Sequence, residues 1–276
     1  MTQSPYLVDI QWLKQQLNDP GVVVIDTRFS LADPELGRRQ YQSGHIPGAY
    51  YLDLDQDLSS SVRSHGGRHP LPDWEIFVTR LNQMGIKSDP PTQIVIYDDS
   101  RFAFAARLWW MLRYLGHQDV AILDGGIRAW LAAGFGVETE DPGDRAGDFS
   151  PTLHPDWTVS VETVRQRQEK TGLVLIDSRS PERFRGEVEP IDPIAGSIPG
   201  AVNAFWQQVT TADGYLHSAD KLSEYWARII NPGDQVIVYC GSGVTACVNL
   251  FSLAVIGYPM HQLYPGGWSD WCSYTA

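Results

Sequence analysis

Four blocks of this sequence occur twice, in the same order. Val22–Arg28 reads VVVIDTR and Leu173–Arg179 reads LVLIDSR; Gly44–Ala49 reads GHIPGA and Gly196–Ala201 reads GSIPGA. Ile94–Asp98 reads IVIYD against VIVYC at Val236–Cys240, and Leu123–Trp130 reads LDGGIRAW against YPGGWSDW at Tyr264–Trp271. Matched blocks kept in register mark an internal duplication, which requires two similar folded units. A length of 276 residues is ample for two domains of ~100–150 residues each.

Each half opens on a helical pattern, Val8–Leu17 and Val161–Gln168, and continues into a short apolar run ending in Asp-x-Arg. Runs of Val and Ile bounded by polar residues read as buried parallel strands, and Ile94–Tyr97 and Val236–Tyr239 read the same way. Apolar helical stretches follow at Ala103–Leu115 and Ala246–Ile256, stopped by Gly116 and Gly257. This alternation predicts an α/β fold of two tandem domains, each a mainly parallel sheet flanked by helices. The first is expected over residues 1–140 and the second over 156–276. The polar, turn-rich stretch 141–155, which includes DPGDRAGDFSP, reads as the linker.

A net charge of -12 repels phosphate backbones, which argues against a nucleic-acid partner. The three cysteines, Cys240, Cys247 and Cys272, form neither a disulfide framework nor a CxxC pair, so no metal and no cofactor is expected. No apolar run reaches the ~18 residues of a membrane span, and the amphipathic start, Met1–Leu17, lacks the basic opening of a signal peptide. The expected compartment is the cytoplasm, with no membrane partner.

Differences between the two copies carry the chemistry. Aligning IVIYD with VIVYC sets Asp98 opposite Cys240, at the C-terminal end of a strand that feeds a helix, where open α/β sheets bind ligands. Only the second copy has a thiol there, so the first is expected to serve as a scaffold. The loop Gly241, Ser242, Gly243, Val244 and Thr245 follows Cys240. Gly241 and Gly243 permit backbone conformations that turn successive amides inward as an anion-binding nest, and the next helix adds its positive end. Ser242 and Thr245 offer hydroxyl donors. A sulfur carrier needs this setting, because its thiolate attacks a sulfane sulfur and then holds it as a persulfide anion. The bland alternative is a buried core cysteine. Cys247, inside the following helix, and Cys272 read as core.

A strand–Cys loop–helix also describes cysteine phosphatases, which place an Arg six residues after the nucleophile. Position 246 is Ala and the loop holds no cation, so phosphoryl transfer would lack charge stabilisation. A sulfur-relay or regulatory module that turns over no small molecule stays open as a different class.

The ordered set DTR, GHIPGA, ARLWW, DGG-x-x-x-W, DSR, RFRG, GSIPGA, CGSGVTA and GGWSDW resembles the tandem-domain rhodanese family over nearly the whole chain. The resemblance implies two similar α/β domains, an active cysteine in the second, and a site between them. The loop CGSGVTA is similar to that of 3-mercaptopyruvate sulfurtransferases, whereas thiosulfate enzymes tend to carry two basic residues where this chain has Gly241 and Ser242. The family's acting set falls on Cys240, Ser242 and Asp55. Its donor-gripping Arg falls on Arg183, with Arg185 an extra cation nearby, and a further first-domain site residue falls on His69. Arg183 is also open to a structural ion pair, Asp55 to loop capping, and His69 to a surface position. The second carboxylate-binding Arg of mercaptopyruvate enzymes falls on Asp192, as in thiosulfate enzymes, so loop and clamp point to different donors. The resemblance implies a small donor, 3-mercaptopyruvate or thiosulfate, and a thiol acceptor such as thioredoxin or glutathione, or cyanide.

Overall fold

The computed structural model describes residues 4–167 and 170–274. Gln168, the last residue of one expected helix, and Met1–Gln3 of the amphipathic start lie outside the described residues. Five strands, β1 (Leu7–Val8), β2 (Val22–Asp26), β3 (Tyr50–Tyr51), β4 (Gln93–Tyr97) and β5 (Val120–Leu123), belong to the first unit. Its helices are α1 (Ile10–Gln16), α2 (Leu36–Ser43), α3 (Trp74–Gln83), α4 (Ala105–Tyr114) and α5 (Gly126–Ala132). The second unit has β6 (Leu173–Asp177), β7 (Val202–Asn203), β8 (Gln235–Tyr239) and β9 (Gln262–Leu263). Its helices are α6 (Val161–Arg167), α7 (Pro181–Phe184), α8 (Ala219–Trp226), α9 (Ala246–Val255) and α10 (Gly267–Cys272).

Among the described residues every strand pair is parallel, in the orders β1-β5-β4-β2-β3 and β7-β6-β8-β9. The strands are apolar runs because parallel sheets are covered on both faces. Leu13, Val24, Val95, Leu123 and Trp130 build a core in the first unit; Val164, Leu175, Ile237, Trp268 and Trp271 build the matching one in the second. The expected helix at Val8 begins later. Val8 pairs with Leu123 in the sheet, and Asp9 starts α1 by accepting the amides of Gln11 and Trp12.

The units do not divide the chain into two uninterrupted halves. The first comprises the described residues of Met1–Ser60, Pro72–His154 and Ala212–Leu216; the second comprises those of Ser61–Leu71, Pro155–Thr211 and His217–Ala276. Part of the 141–155 stretch is tied to the first unit. The Arg145 amide donates to Gln83 at 2.7 Å, and the Gly147 amide to Asn82 at 2.8 Å.

The Asp-x-Arg repeats have one task in both units. Asp26 takes the Arg28 guanidinium at 2.6 Å and Asp177 takes that of Arg179 at 2.7 Å, all four side chains being buried. Each Arg then reaches the carbonyl that opens the second repeat block, Gly44 at 2.9 Å and Gly196 at 2.6 Å. A buried ion pair that also holds a loop carbonyl pins the loop to the strand end.

Candidate active site around Cys240

Register fixes which residues correspond. Asp26 pairs with Tyr97 across β2 and β4, and Asp177 pairs with Tyr239 across β6 and β8. The next residues, Asp98 and Cys240, therefore hold the same place at their strand ends. The Gly-Gly turns brace that place in both units. A β-carbon on Gly126 would lie 2.1 Å from the Asp98 carbonyl oxygen, and one on Gly267 would lie 2.5 Å from that of Cys240. Trp268 N–H donates to the Cys240 carbonyl at 2.8 Å and Ser269 N–H to that of Gly241 at 2.9 Å.

Cys240 is a free thiol in a residue 2% exposed, buried along with Ser242 and Val244. The two loop glycines serve different needs, contrary to the single backbone role expected of them. Gly243 adopts φ +72, the left-handed region that disfavours a β-carbon, as expected for a nest. Gly241 does not take left-handed backbone and sits beside two guanidinium groups. A β-carbon there would lie 2.8 Å from Nη2 of Arg68 and 3.8 Å from both Nη atoms of Arg183. Thr245 caps α9 in position, but its hydroxyl caps no amide of that helix.

His69 is buried in the second unit, although it comes from the first half of the sequence. Its Nδ1 lies 2.7 Å from the Ser242 hydroxyl oxygen. Arg183 is held by Glu189 at 2.7 Å and Asp192 at 3.0 Å. Burial pushes the Glu189 carboxyl up, but hydrogen bonds from Arg183 and from the Asp192 and Ile191 amides outweigh it and leave it below the usual range. Arg183 is thus both ion-paired and beside the cysteine loop.

Arg185 departs from its expected role. Its Nε donates to Glu187 at 2.6 Å, and both side chains are about half exposed, at 51% and 55%. Residues two apart on a helical turn point to different sides, so the chain that aims Arg183 inward aims Arg185 outward. Asp55 lies in the first unit, where its amide donates to Asp53 at 2.9 Å. Its partly covered carboxyl is pushed above the usual range by burial and then by the Asp53 charge. Cys247 is buried in α9 with its sulfur 3.4 Å from the Gly243 carbonyl oxygen, and burial pushes the Cys272 thiol up to about 11.

A model of the rhodanese-like domain matches this chain twice, over residues 9–133 and 160–274. The chain belongs to the rhodanese-like family. A Pseudomonas aeruginosa relative named "Probable 3-mercaptopyruvate sulfurtransferase" is 44% identical over 97% of this chain and 95% of its own length. A Mycobacterium tuberculosis relative that carries a thiosulfate sulfurtransferase name is 40% identical over 94% of this chain and 90% of its own. Among solved structures, SseA of Escherichia coli, described as a 3-mercaptopyruvate sulfotransferase with the rhodanese fold, superimposes with a TM-score of 0.83. It is 32% identical, and the match covers 96% of this chain and 99% of that one.

Within this rhodanese-like protein, sequence reasoning reached His69 but passed over its neighbour Arg68. The available signal was the cation in RHPLP, which no periodicity could assign to the second unit.

Proposed function

We propose that this protein is a sulfurtransferase in which Cys240 takes the thiol sulfur of 3-mercaptopyruvate, holds it as a persulfide and passes it on. The Cys240 thiolate attacks the donor sulfur, the donor's carbon–sulfur bond breaks, and the electron pair stays on carbon as the enolate of pyruvate. The donor's thiol proton ends on that carbon, giving pyruvate and the Cys240 persulfide anion. An acceptor thiolate then attacks the outer sulfur, and Cys240 leaves as thiolate. Gly241, Ser242, Gly243, Val244 and Thr245 wrap the anion. Ser242, kept in place by His69, and Asp55, which rests on the family resemblance, move the proton. Arg183 grips the donor's carboxylate.

One observation supports this reading above the rest: the strand-end place that holds a carboxylate in the first unit holds a thiol in the second, with two guanidinium groups beside the next residue. Thiosulfate as main donor is the second reading. It is favoured by Asp192, where a second Arg would suit a carboxylate, and by the name of the Mycobacterium relative. Thioredoxin, glutathione and cyanide are the proposed acceptors, and the cytoplasm the proposed compartment. No helix among the described residues is long and apolar enough to cross a membrane.

The test is kcat/KM measured side by side for the two donors with each acceptor. A ratio favouring 3-mercaptopyruvate is expected, and one favouring thiosulfate selects the second reading. Turnover with neither points to a sulfur-relay module.

A further inference from the structure

The second unit contains an unbroken chain of charges that ends at the cysteine loop. Asp177 pairs with Arg179, Arg179 with Glu189 at 3.1 Å, Glu189 with Arg183, Arg183 with Asp192, and Asp192 with Nε of Arg68 at 3.2 Å. The carboxylates lie behind and the last two cations in front: the side chains of Glu189 and Asp192 are 4% and 1% exposed, those of Arg183 and Arg68 16% and 27%. Arg68 spends Nε on Asp192, and Arg183 spends Nε and Nη2 on Glu189 and Asp192. Among the described residues, both Nη atoms of Arg68 and Nη1 of Arg183 have no acceptor. Two of these spare donors, Nη2 of Arg68 and Nη1 of Arg183, lie on the side of Gly241, one residue from the thiol.

Arg68 is held there from both sides. Before it, the Gly66 amide donates to Asp270 at 2.6 Å, and the His65 ring lies 2.7 Å from the Ser273 hydroxyl and stacks on Tyr274 at 4.0 Å. After it, His69 meets Ser242. A β-carbon on Gly67 would lie 2.4 Å from the Gly266 carbonyl oxygen, so the strap lies flat against the start of α10. Two like-charged guanidinium groups would repel if unbridged, and the buried Asp192 carboxylate between them offsets that repulsion.

We infer that Arg68 and Arg183 form a two-guanidinium cradle for the acid group of the sulfur donor, with Asp192 as the positioning residue that holds the pair side by side. This rests on the sulfurtransferase reading and names the recognised chemistry: a small donor whose sulfur lies a few bonds from a carboxylate or sulfonate. Paired planar forks suit such groups better than a point charge does.

Alkylation of Cys240 tests the cradle without any turnover. Iodoacetate and iodoacetamide both lose iodide to the thiolate, and they differ in one carboxylate. The rate ratio of acetate to acetamide, read on the Cys240 peptide by mass spectrometry, should fall about tenfold in Arg68→Ala, the size of a lost charge-assisted hydrogen bond. Arg68→Lys should recover part of it, and Asp192→Asn should lower it about threefold. KM for 3-mercaptopyruvate should rise about tenfold in Arg68→Ala, with kcat within about twofold. If the Ala variant does not fold, Arg68→Met keeps the bulk and gives the same reading. An unchanged ratio in a folded Arg68 variant overturns the cradle. A wild type that turns over neither donor instead overturns the sulfurtransferase reading, because the alkylation ratio needs no sulfur donor.

Discussion

After Tyr97 and after Tyr239 the chain leaves a central strand at the same register, yet the two loops treat the strand-end place in opposite ways. In the first unit the carboxylate of Asp98 fills it. The amides of Ser100 (2.9 Å), Phe102 (3.1 Å), Phe104 (3.0 Å) and Ala105 (3.0 Å) all donate to that one group. Burial pushes the Asp98 carboxyl up, against the pull of those amides. Arg101 and Phe102 take left-handed backbone at φ 59 and 71, a conformation that costs free energy without glycine, and the Phe102 amide is among those Asp98 accepts. The space beside it is lined in part by Asp98, Phe102, Gly125 and Gly126. In the second unit the place holds Cys240, and its loop meets the left-handed requirement with Gly243. The comparison teaches that the first unit's loop gathers backbone amides around an anion. One copy supplies the anion from its own side chain; the other offers a thiol that can become one.

The largest effect that would break this comparison concerns the built-in anion. Asp98→Ala leaves four amides without this acceptor, three of them in buried residues, and should lower unfolding free energy by about 3 kcal/mol, seen as a lower urea midpoint. Turnover per folded molecule should stay unchanged. An unfolding free energy within about 0.5 kcal/mol of the parent's would show that the amides do not need the carboxylate.

In the function proposed above, the second unit captures a donor's charge instead. Arg183→Ala should raise the donor KM about 30-fold, equal to about 2 kcal/mol, and lower kcat much less. Unchanged KM would leave Arg183 as a structural ion-pair partner of Glu189 and Asp192.

The Gly-Gly turns sharpen the contrast further, because Asp124 precedes one and Pro265 the other. Burial pushes the Asp124 carboxyl up to about 6, against an ordinary value of 3.8. Between those values the unfolded chain loses a proton that the folded chain keeps. Folding is therefore penalised increasingly as pH rises from about 4 to 6, and the penalty is constant above. Asp124→Asn retains the acceptor for the Leu216 amide and removes the charge. Relative to the parent it should be about 1 kcal/mol more stable at pH 8 than at pH 4. An equal difference at both pH values would place the burial cost elsewhere. The smallest effect is expected for Arg185→Ala: less than a twofold change in KM, since its fork is taken by Glu187 at the surface.

The duplication, the parallel strands and the thiol aligned with a carboxylate were all legible in the sequence. Each is a local pattern that survives folding unchanged. Arg68 was hidden because it sits in an irregular strap from the first half of the chain that packs within the second unit, and no periodicity marks such a loop. Asp192 read as a missing cation, whereas it is the carboxylate that joins two cations. Arg185 looked like a partner to Arg183 because sequence distance ignores the turn of the chain between them. The Asp98 carboxylate read as lost chemistry, and only the converging amides reveal what it does.

The most direct measurement is the mass of the protein after brief treatment with 3-mercaptopyruvate and digestion without reductant. One additional sulfur atom should appear on the peptide containing Cys240, none on those containing Cys247 or Cys272, and none anywhere in Cys240→Ser. Sulfur carried on another cysteine, or transfer persisting in Cys240→Ser, would contradict the assignment of Cys240 as the carrier.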